Sequence, residues 1–238
     1  MNNTELTPEV FLRGIRSAIG LGIGYVPIGI TYGVLAQTGS LTFIETLAMS
    51  LMVFAGASQF IALNLLAAGV GPFQIVFTVF MVNLRHFLMS TSLREKIDCD
   101  SRLIEAVISF GITDETFAVS SIRDGKVGAA YMFGLNSVAY LSWTTSSAAG
   151  YLIGGELPFI MKSSMSIALY ALFIGLLVPS IRKSKEVLAV ALGAGGLNSG
   201  LRLFLNPGWS LVIASLAAAL AGTVIFGGRN PDNPGGGD

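Results

Sequence analysis

Two adjacent acids, Asp114 and Glu115, lie near the middle of an otherwise apolar stretch over 103–120. Ionisable groups are costly in lipid and usually mark a pathway or a paired site. Left unpaired there, a carboxylate takes up a proton; beside a cation it stays ionised. The first state suits proton coupling and the second suits positioning. Adjacent helical residues diverge by about 100°, so both acids share one pocket only where the helix breaks. A cation is offered by Asn83-Leu84-Arg85-His86, towards the end of another apolar run. Asn83 and His86, three apart, share a helix face, while Arg85 points roughly opposite Asn83. Arg85 either pairs with Asp114 or snorkels to the interface. His86, the sole histidine, reads as a hydrogen-bonded helix contact or as a proton carrier.

Two uncharged stretches complete the candidates. Gly56-Ala57-Ser58-Gln59 offers a hydroxyl, an amide and flexible backbone. If a helix begins anew there, its free N–H groups and positive dipole end suit a carboxylate. If the helix is continuous, Ser58 and Gln59 bond a neighbouring helix instead. The run 20–33 is rich in glycine and contains Pro27, which removes a backbone donor and clashes with the preceding turn. Gly20/Gly24 and Gly29/Gly33 are small-residue pairs at helical spacing, suited to close packing. A kink around Gly24 and Pro27 would line a substrate path. Asn198 and Arg202 repeat the Asn/Arg pattern more weakly, and Gly193-Ala194-Gly195-Gly196 offers one more place for a break.

The elements that must hold these groups are membrane helices. Of the 238 residues, 53% are hydrophobic and 12% charged, the net charge is zero, and the mean hydropathy is +0.71. So few charges would not cover a soluble globule, whose norm is about 25%. The charge balance also excludes a nucleic-acid footprint. Cys99 is the single cysteine, so there is neither an intrachain disulfide nor a cysteine-based metal site, and no metal or cofactor is expected. The first 16 residues carry Glu5, Pro8 and Glu9 and do not read as a cleaved signal. The expected organisation is a single polytopic domain over 1–226 with a disordered tail over 227–238.

Eight segments approach the roughly 20 apolar residues that cross a bilayer: 17–37, 44–67, 72–90, 103–120, 127–153, 163–181, 187–205 and 209–226. Lipid offers no hydrogen-bond partners, so the fold class is all-α. The bias of Lys and Arg towards the cytoplasm tests how many segments cross. If 44–67 and 103–120 enter and return by one side, Arg13, Arg16, Arg94, Lys96, Arg102, Arg123, Lys126, Arg182, Lys183, Lys185 and Arg229 share the cytoplasmic face. Only Lys162 is then left outside, and both termini are cytoplasmic. Eight full crossings would move Arg94, Lys96 and Arg102 outside. Both odd segments carry a polar break at their centre, as broken helices of transporters do.

Phe54-Ala55-Gly56-Ala57-Ser58-Gln59-Phe60, Asn83-Leu84-Arg85-His86 and Thr113-Asp114-Glu115-Thr116-Phe117, in this order and spacing, resemble the AzlC/YgaZ-type branched-chain amino acid permeases. The resemblance covers roughly residues 10–205. It implies export of valine, leucine and isoleucine, sometimes methionine, across the inner (plasma) membrane. It also implies a two-component permease with a small hydrophobic AzlD-type partner. The residues agree with such a substrate, because a zwitterion leaving water needs both charges replaced. The start of a half-helix at Ser58 and Gln59, or Arg85, would take the carboxylate. Asp114 or Glu115 would take the ammonium, and Phe54, Phe60, Phe87 and Phe117 would line the side chain. Proton coupling would use His86, Asp114 or Glu115. A channel for a small solute and a scaffold subunit of a transporter are the alternatives. An intramembrane serine protease would need Ser58 or Ser90 to meet His86, and Ser58 is followed by glutamine rather than glycine.

Overall fold

The computed structural model describes residues 7–99, 101–158, 160, 174, 178, 181–182, 184–205 and 207–226. Its helices are α1 (Pro8–Thr38), α2 (Phe43–Met52), α3 (Gly56–Ala67), α4 (Pro72–Arg94), α5 (Arg102–Phe110), α6 (Asp114–Ser121), α7 (Ala129–Gly154), α8 (Lys185–Leu201) and α9 (Pro207–Phe226). Two short strands, β1 (Ile97–Asp98) and β2 (Val127–Gly128), flank the α5–α6 pair. The chain is an all-α integral membrane protein. Helices α1 and α4, and Trp209–Phe226 within α9, are each long and apolar enough to cross a bilayer. Most of the segment expected at 163–181, and the tail 227–238, lie outside the described residues.

Segments 44–67 and 103–120 are both broken, at residues 53–55 and 111–113. Each begins or resumes on a local signal. At the start of α2, Glu45 N–H donates to Thr42 Oγ1 (3.2 Å) and Thr42 N–H to Glu45 Oε2 (2.7 Å). At the start of α6, Thr116 N–H donates to Thr113 Oγ1 (3.3 Å) and Thr113 N–H to Thr116 Oγ1 (2.7 Å). Such reciprocal caps satisfy donors that a helix start otherwise leaves bare. The glycine run 193–196 makes no break, because α8 passes through it unbroken.

The chain divides into two units, Met1–Leu63 with Val82–Leu169, and Asn64–Met81 with Tyr170–Asp238. In the first, α1 and α7 lie against each other along most of their length. A Cβ on Gly14 would strike the Tyr131 carbonyl, one on Gly33 the Ser147 carbonyl, and one on Gly150 the Ile30 carbonyl. Because 14 meets 131 and 33 meets 147–151, the two helices are parallel and start on the same side. The packing face of α1 is Gly14, Gly22, Gly29 and Gly33; Gly20 and Gly24 meet nothing among the described residues, which corrects the expected Gly20/Gly24 pair. The cause is angular: two residues further on, Gly22 lies about 200° around the helix.

The α5–α6 segment leaves by the side it enters. Strands β1 and β2 pair in parallel, Ile97 with Val127 and Asp98 with Gly128. Val127 N–H donates to Lys96 O (2.8 Å), while Lys96 Nζ donates to Ser121 O (2.6 Å) and Arg123 O (2.7 Å). A segment whose two ends are bonded together does not span a membrane. The nine residues of α5 reach about 13 Å, near half of a roughly 30 Å hydrocarbon layer.

The first hairpin comes from the other end. Near the C-terminus of α7, Tyr151 Oη donates to Leu41 O (2.8 Å), and its ring lies 5.5 Å from that of Phe43. Earlier on α7, Tyr140 Oη donates to Leu51 O (2.9 Å), so α2 runs antiparallel to α7. Helix α3 then turns back. Phe54 meets Tyr25 (6.5 Å), Phe60 meets Tyr32 about two α1 turns further on (5.8 Å), and Gln59 Nε2 donates to Ser50 Oγ (3.2 Å). In the second unit, Ser210 Oγ donates to Asn198 Oδ1 (2.7 Å) and Gly222 lies against Val190, so α8 and α9 are antiparallel.

Candidate functional site

The tips of the two hairpins meet around one tyrosine of α1. The Tyr25 ring packs edge-on against Phe54 in the first break (6.5 Å) and against Trp143 of α7 (5.7 Å). Its hydroxyl reaches the second break, donating to Glu115 Oε2 at 2.5 Å and lying 2.8 Å from Thr113 Oγ1. The tyrosine proton is committed to Glu115, so Thr113 donates to Tyr25. Tyr25 is 8% exposed. Beside this chain, Arg85 Nη1 of α4 pairs with Asp114 Oδ2 at 2.9 Å, both side chains about one-third exposed (36% and 31%). Asp114 and Glu115 occupy the first turn of α6, where the helix dipole favours negative charge.

The first break is fastened to the same helix, α4. Ser58 Oγ donates to Asn83 Oδ1. Gln59, fully buried, is held through Trp143 Nε1, which donates to Gln59 Oε1 (2.8 Å). Gly56 lies beneath the Trp143 indole, which a Cβ would strike. The second break is held by Asn136 of α7, whose Nδ2 donates to Ile108 O (3.0 Å). On one side of the pair, a groove of about 630 Å³ runs between α4 and α5, lined by Phe87, Ser90, Thr91, Arg94, Arg102, Glu105, Ala106 and Ser109. Arg94 Nε bonds Glu105 Oε1 (2.7 Å) across it.

Thus the structure brings Ser58, Asn83, Arg85, Asp114 and Glu115 together around two helix breaks. His86 is half-buried beside them, in the field of both Arg85 and Glu115. Gln59 and Gly56 serve the first hairpin's packing on Trp143. Gly24 and Pro27 sit on an exposed face of α1, which runs as one helix through both, away from the face carrying Tyr25. Phe54 and Phe60 are buried, Phe117 half-buried and Phe87 exposed. Asn198 belongs to the α8–α9 contact, and Arg202 is exposed at the end of α8. Neither type nor spacing singles out Tyr25, Thr113 and Trp143 as site residues. The one available signal was the pair Thr113/Thr116, three apart before a helix, which reads as a cap.

Apolar helices and two broken helix pairs, with an ion pair and a hydrogen-bonded acid at the breaks, define a polytopic membrane protein with a polar site between its own helices. The sequence pattern of the AzlC protein family matches residues 20–157. The chain belongs to the AzlC family. Among its relatives, an "Uncharacterized membrane protein" of Archaeoglobus fulgidus is 31% identical over 220 residues, covering 92% of this chain and 94% of that one. "Inner membrane protein YgaZ" of Escherichia coli is 28% identical, covering 89% and 87%. "Branched-chain amino acid transport protein AzlC" of Bacillus subtilis is 26% identical, covering 92% and 86%. No solved structure matches the chain.

Proposed function

We propose that the protein carries branched-chain amino acids across the inner (plasma) membrane, holding the zwitterion at the Arg85–Asp114 pair. The name of the Bacillus subtilis relative supports the substrate class. The observation that carries the site is the state of Arg85: Nη1 is paired with Asp114, while Nε is covered from solvent and has no hydrogen-bond partner among the described residues. A zwitterion resolves this arrangement by exchange. Its carboxylate takes the guanidinium and its ammonium takes Asp114, so neither charge is left unpaired at any stage. The first turn of α3, with Gly56, Ala57 and Ser58 presenting unpaired N–H groups as every helix start does, is a second station for the carboxylate. Phe54 and Phe117 border the aliphatic side chain. The groove between α4 and α5 admits solute from the side that carries Arg94 and Arg102.

The family resemblance adds export and a small AzlD-type membrane partner to this reading, and the titratable groups Asp114, Glu115 and His86 beside the site add proton coupling. Arg13, Arg94, Lys96, Arg102, Arg123 and Lys126 lie towards the end where α1 and α7 begin, which supports a cytoplasmic assignment of that end and of the N-terminus; the C-terminus is assigned to the same side. The test is counterflow of labelled leucine in liposomes holding the chain with and without the partner. Leucine, isoleucine, valine and methionine are expected to compete. Leucinamide, lacking the carboxylate, and 4-methylpentanoate, lacking the ammonium, are expected not to. Equal competition by either analogue would remove the two-charge site.

A further inference from the structure

Among the described residues, only one of the two adjacent acids is paired with a cation. Asp114 is paired with Arg85, whereas the described partner of Glu115 is the hydroxyl of Tyr25. We propose that Glu115 is the group that takes up and releases the coupling proton, and that Tyr25 is the positioning residue that transmits its protonation to both hairpin tips. This rests on the transport reading above and assigns the proton within it. The substrate's charges stay with Arg85 and Asp114.

The geometry separates the roles. Among the described residues, the titratable groups that act on Glu115 are Tyr25 from α1, His86 from α4 and Asp114 on its own helix, and the nearby charge on α4 is Arg85. Arg85 is already bonded to Asp114. A proton on Asp114 would dissolve the pair that binds the zwitterion, while a proton on Glu115 leaves that pair intact. The step is simple: one O–H bond forms on a Glu115 oxygen at uptake and breaks at release, water supplies and receives the proton, and nothing is oxidised or reduced.

The consequence lies in the direction of two hydrogen bonds. With Glu115 ionised, Thr113 donates to Tyr25 and Tyr25 donates to Glu115. A protonated Glu115 becomes a donor. Tyr25 then accepts from it and donates to Thr113 Oγ1, and the Thr113 hydroxyl hydrogen must turn to another acceptor. That same oxygen receives Thr116 N–H (3.3 Å), the cap on which α6 starts. One proton therefore reverses the hydrogen-bond chain that ends at the cap of the second half-helix. The ring of the same tyrosine rests on Phe54, at the start of the first. His86, half-buried in the field of Glu115 and without a hydrogen bond among the described residues, stands where a proton would be relayed.

The experiment uses the full chain, with its membrane partner where transport needs it, in liposomes loaded with leucine. Two quantities are read: counterflow at equal pH on both sides, and accumulation driven by an imposed pH gradient. Glu115→Gln is expected to lose gradient-driven accumulation while its counterflow persists and loses its pH dependence. Tyr25→Phe keeps the ring packing but removes the hydroxyl that joins Glu115 to Thr113, so the dependence of its accumulation on pH is expected to differ from the parent's. Accumulation by Glu115→Gln as in the parent, or a Tyr25→Phe profile coincident with the parent's, overturns the assignment. Absence of counterflow in the parent itself would instead sink the transport reading. Should Glu115→Gln not fold, dicyclohexylcarbodiimide, which couples to protonated carboxyls in apolar surroundings, decides on the unmodified protein. Adducts mapped to Glu115 are expected, and adducts on Asp114 alone refute it.

Discussion

Arg85 and Asp114 are each about one-third exposed, and ion pairs with that much solvent contribute little to stability, about 0–1 kcal/mol. What distinguishes the pair is its place, at the tip of a half-helix and beside a covered guanidinium nitrogen without a partner among the described residues. Its worth is therefore expected in transport rather than in folding. A charge-assisted hydrogen bond contributes about 1.5–3 kcal/mol, so Arg85→Ala or Asp114→Asn should slow leucine counterflow by roughly 10–100-fold. Thermal unfolding in detergent should shift little for either. The exchanged pair Arg85→Asp with Asp114→Arg is expected to recover part of the rate, because a zwitterion can lie either way between two opposite charges. A large loss of thermal stability with an unaltered counterflow rate would make the pair structural.

Helices α1 and α7 show what the elements demand of their residues. Backbone carbonyls of α7 lie where side chains of Gly14 and Gly33 would begin, so these positions set the approach of the two helices. Gly14→Ala or Gly33→Ala is expected to destabilise by about 1–3 kcal/mol, the usual cost of overpacking. Gly20→Ala, with open space around it, should be neutral or stabilising by up to about 1 kcal/mol through helix propensity. Melting temperatures of the three variants in one detergent compare them directly, and equal shifts would contradict the packing. That contrast also shows what could be read beforehand. Both helix breaks were legible, because Gly56-Ala57-Ser58 and Gly111-Ile112-Thr113 interrupt apolar runs with residues that cap or loosen a helix. Arg85 and Asp114 were legible because charge in an apolar segment demands a partner. Which glycines of α1 meet α7 was not, since faces two residues apart are nearly opposite and the partner helix is 117 positions away. Tyr25 was illegible for a similar reason. A tyrosine in an apolar run looks like packing until the chain, 88 and 90 residues later, brings Thr113 and Glu115 to its hydroxyl. The glycine run in α8 misled because glycine permits a break without requiring one.

At the scale of the molecule, the order of elements from α2 to α7 contains the same pair of parts twice. A half-depth hairpin (α2–α3) precedes a long helix (α4), and a second hairpin (α5–α6) precedes another (α7), entering from the opposite side. Repeats inverted in this way place their helix breaks at a common depth and give each membrane face an equivalent route to it, which is how alternating access works in many transporters. The arrangement also explains the distribution of charge. Glu95 and Asp124 stand in the two connections at the ends of the second hairpin, next to Arg94, Lys96, Arg102, Arg123 and Lys126, while Ser40 lies in the turn between α1 and α2 at the other end. In a Cys99→Ser background, Glu95→Cys and Asp124→Cys should therefore both react with a membrane-impermeant maleimide only in inverted vesicles. Ser40→Cys should react only in intact cells, and all three positions are exposed in the folded chain. If 103–120 crossed the membrane, Glu95→Cys and Asp124→Cys would be labelled from opposite faces, the inverted pair would be lost, and with it the common depth at which Tyr25 joins the two tips.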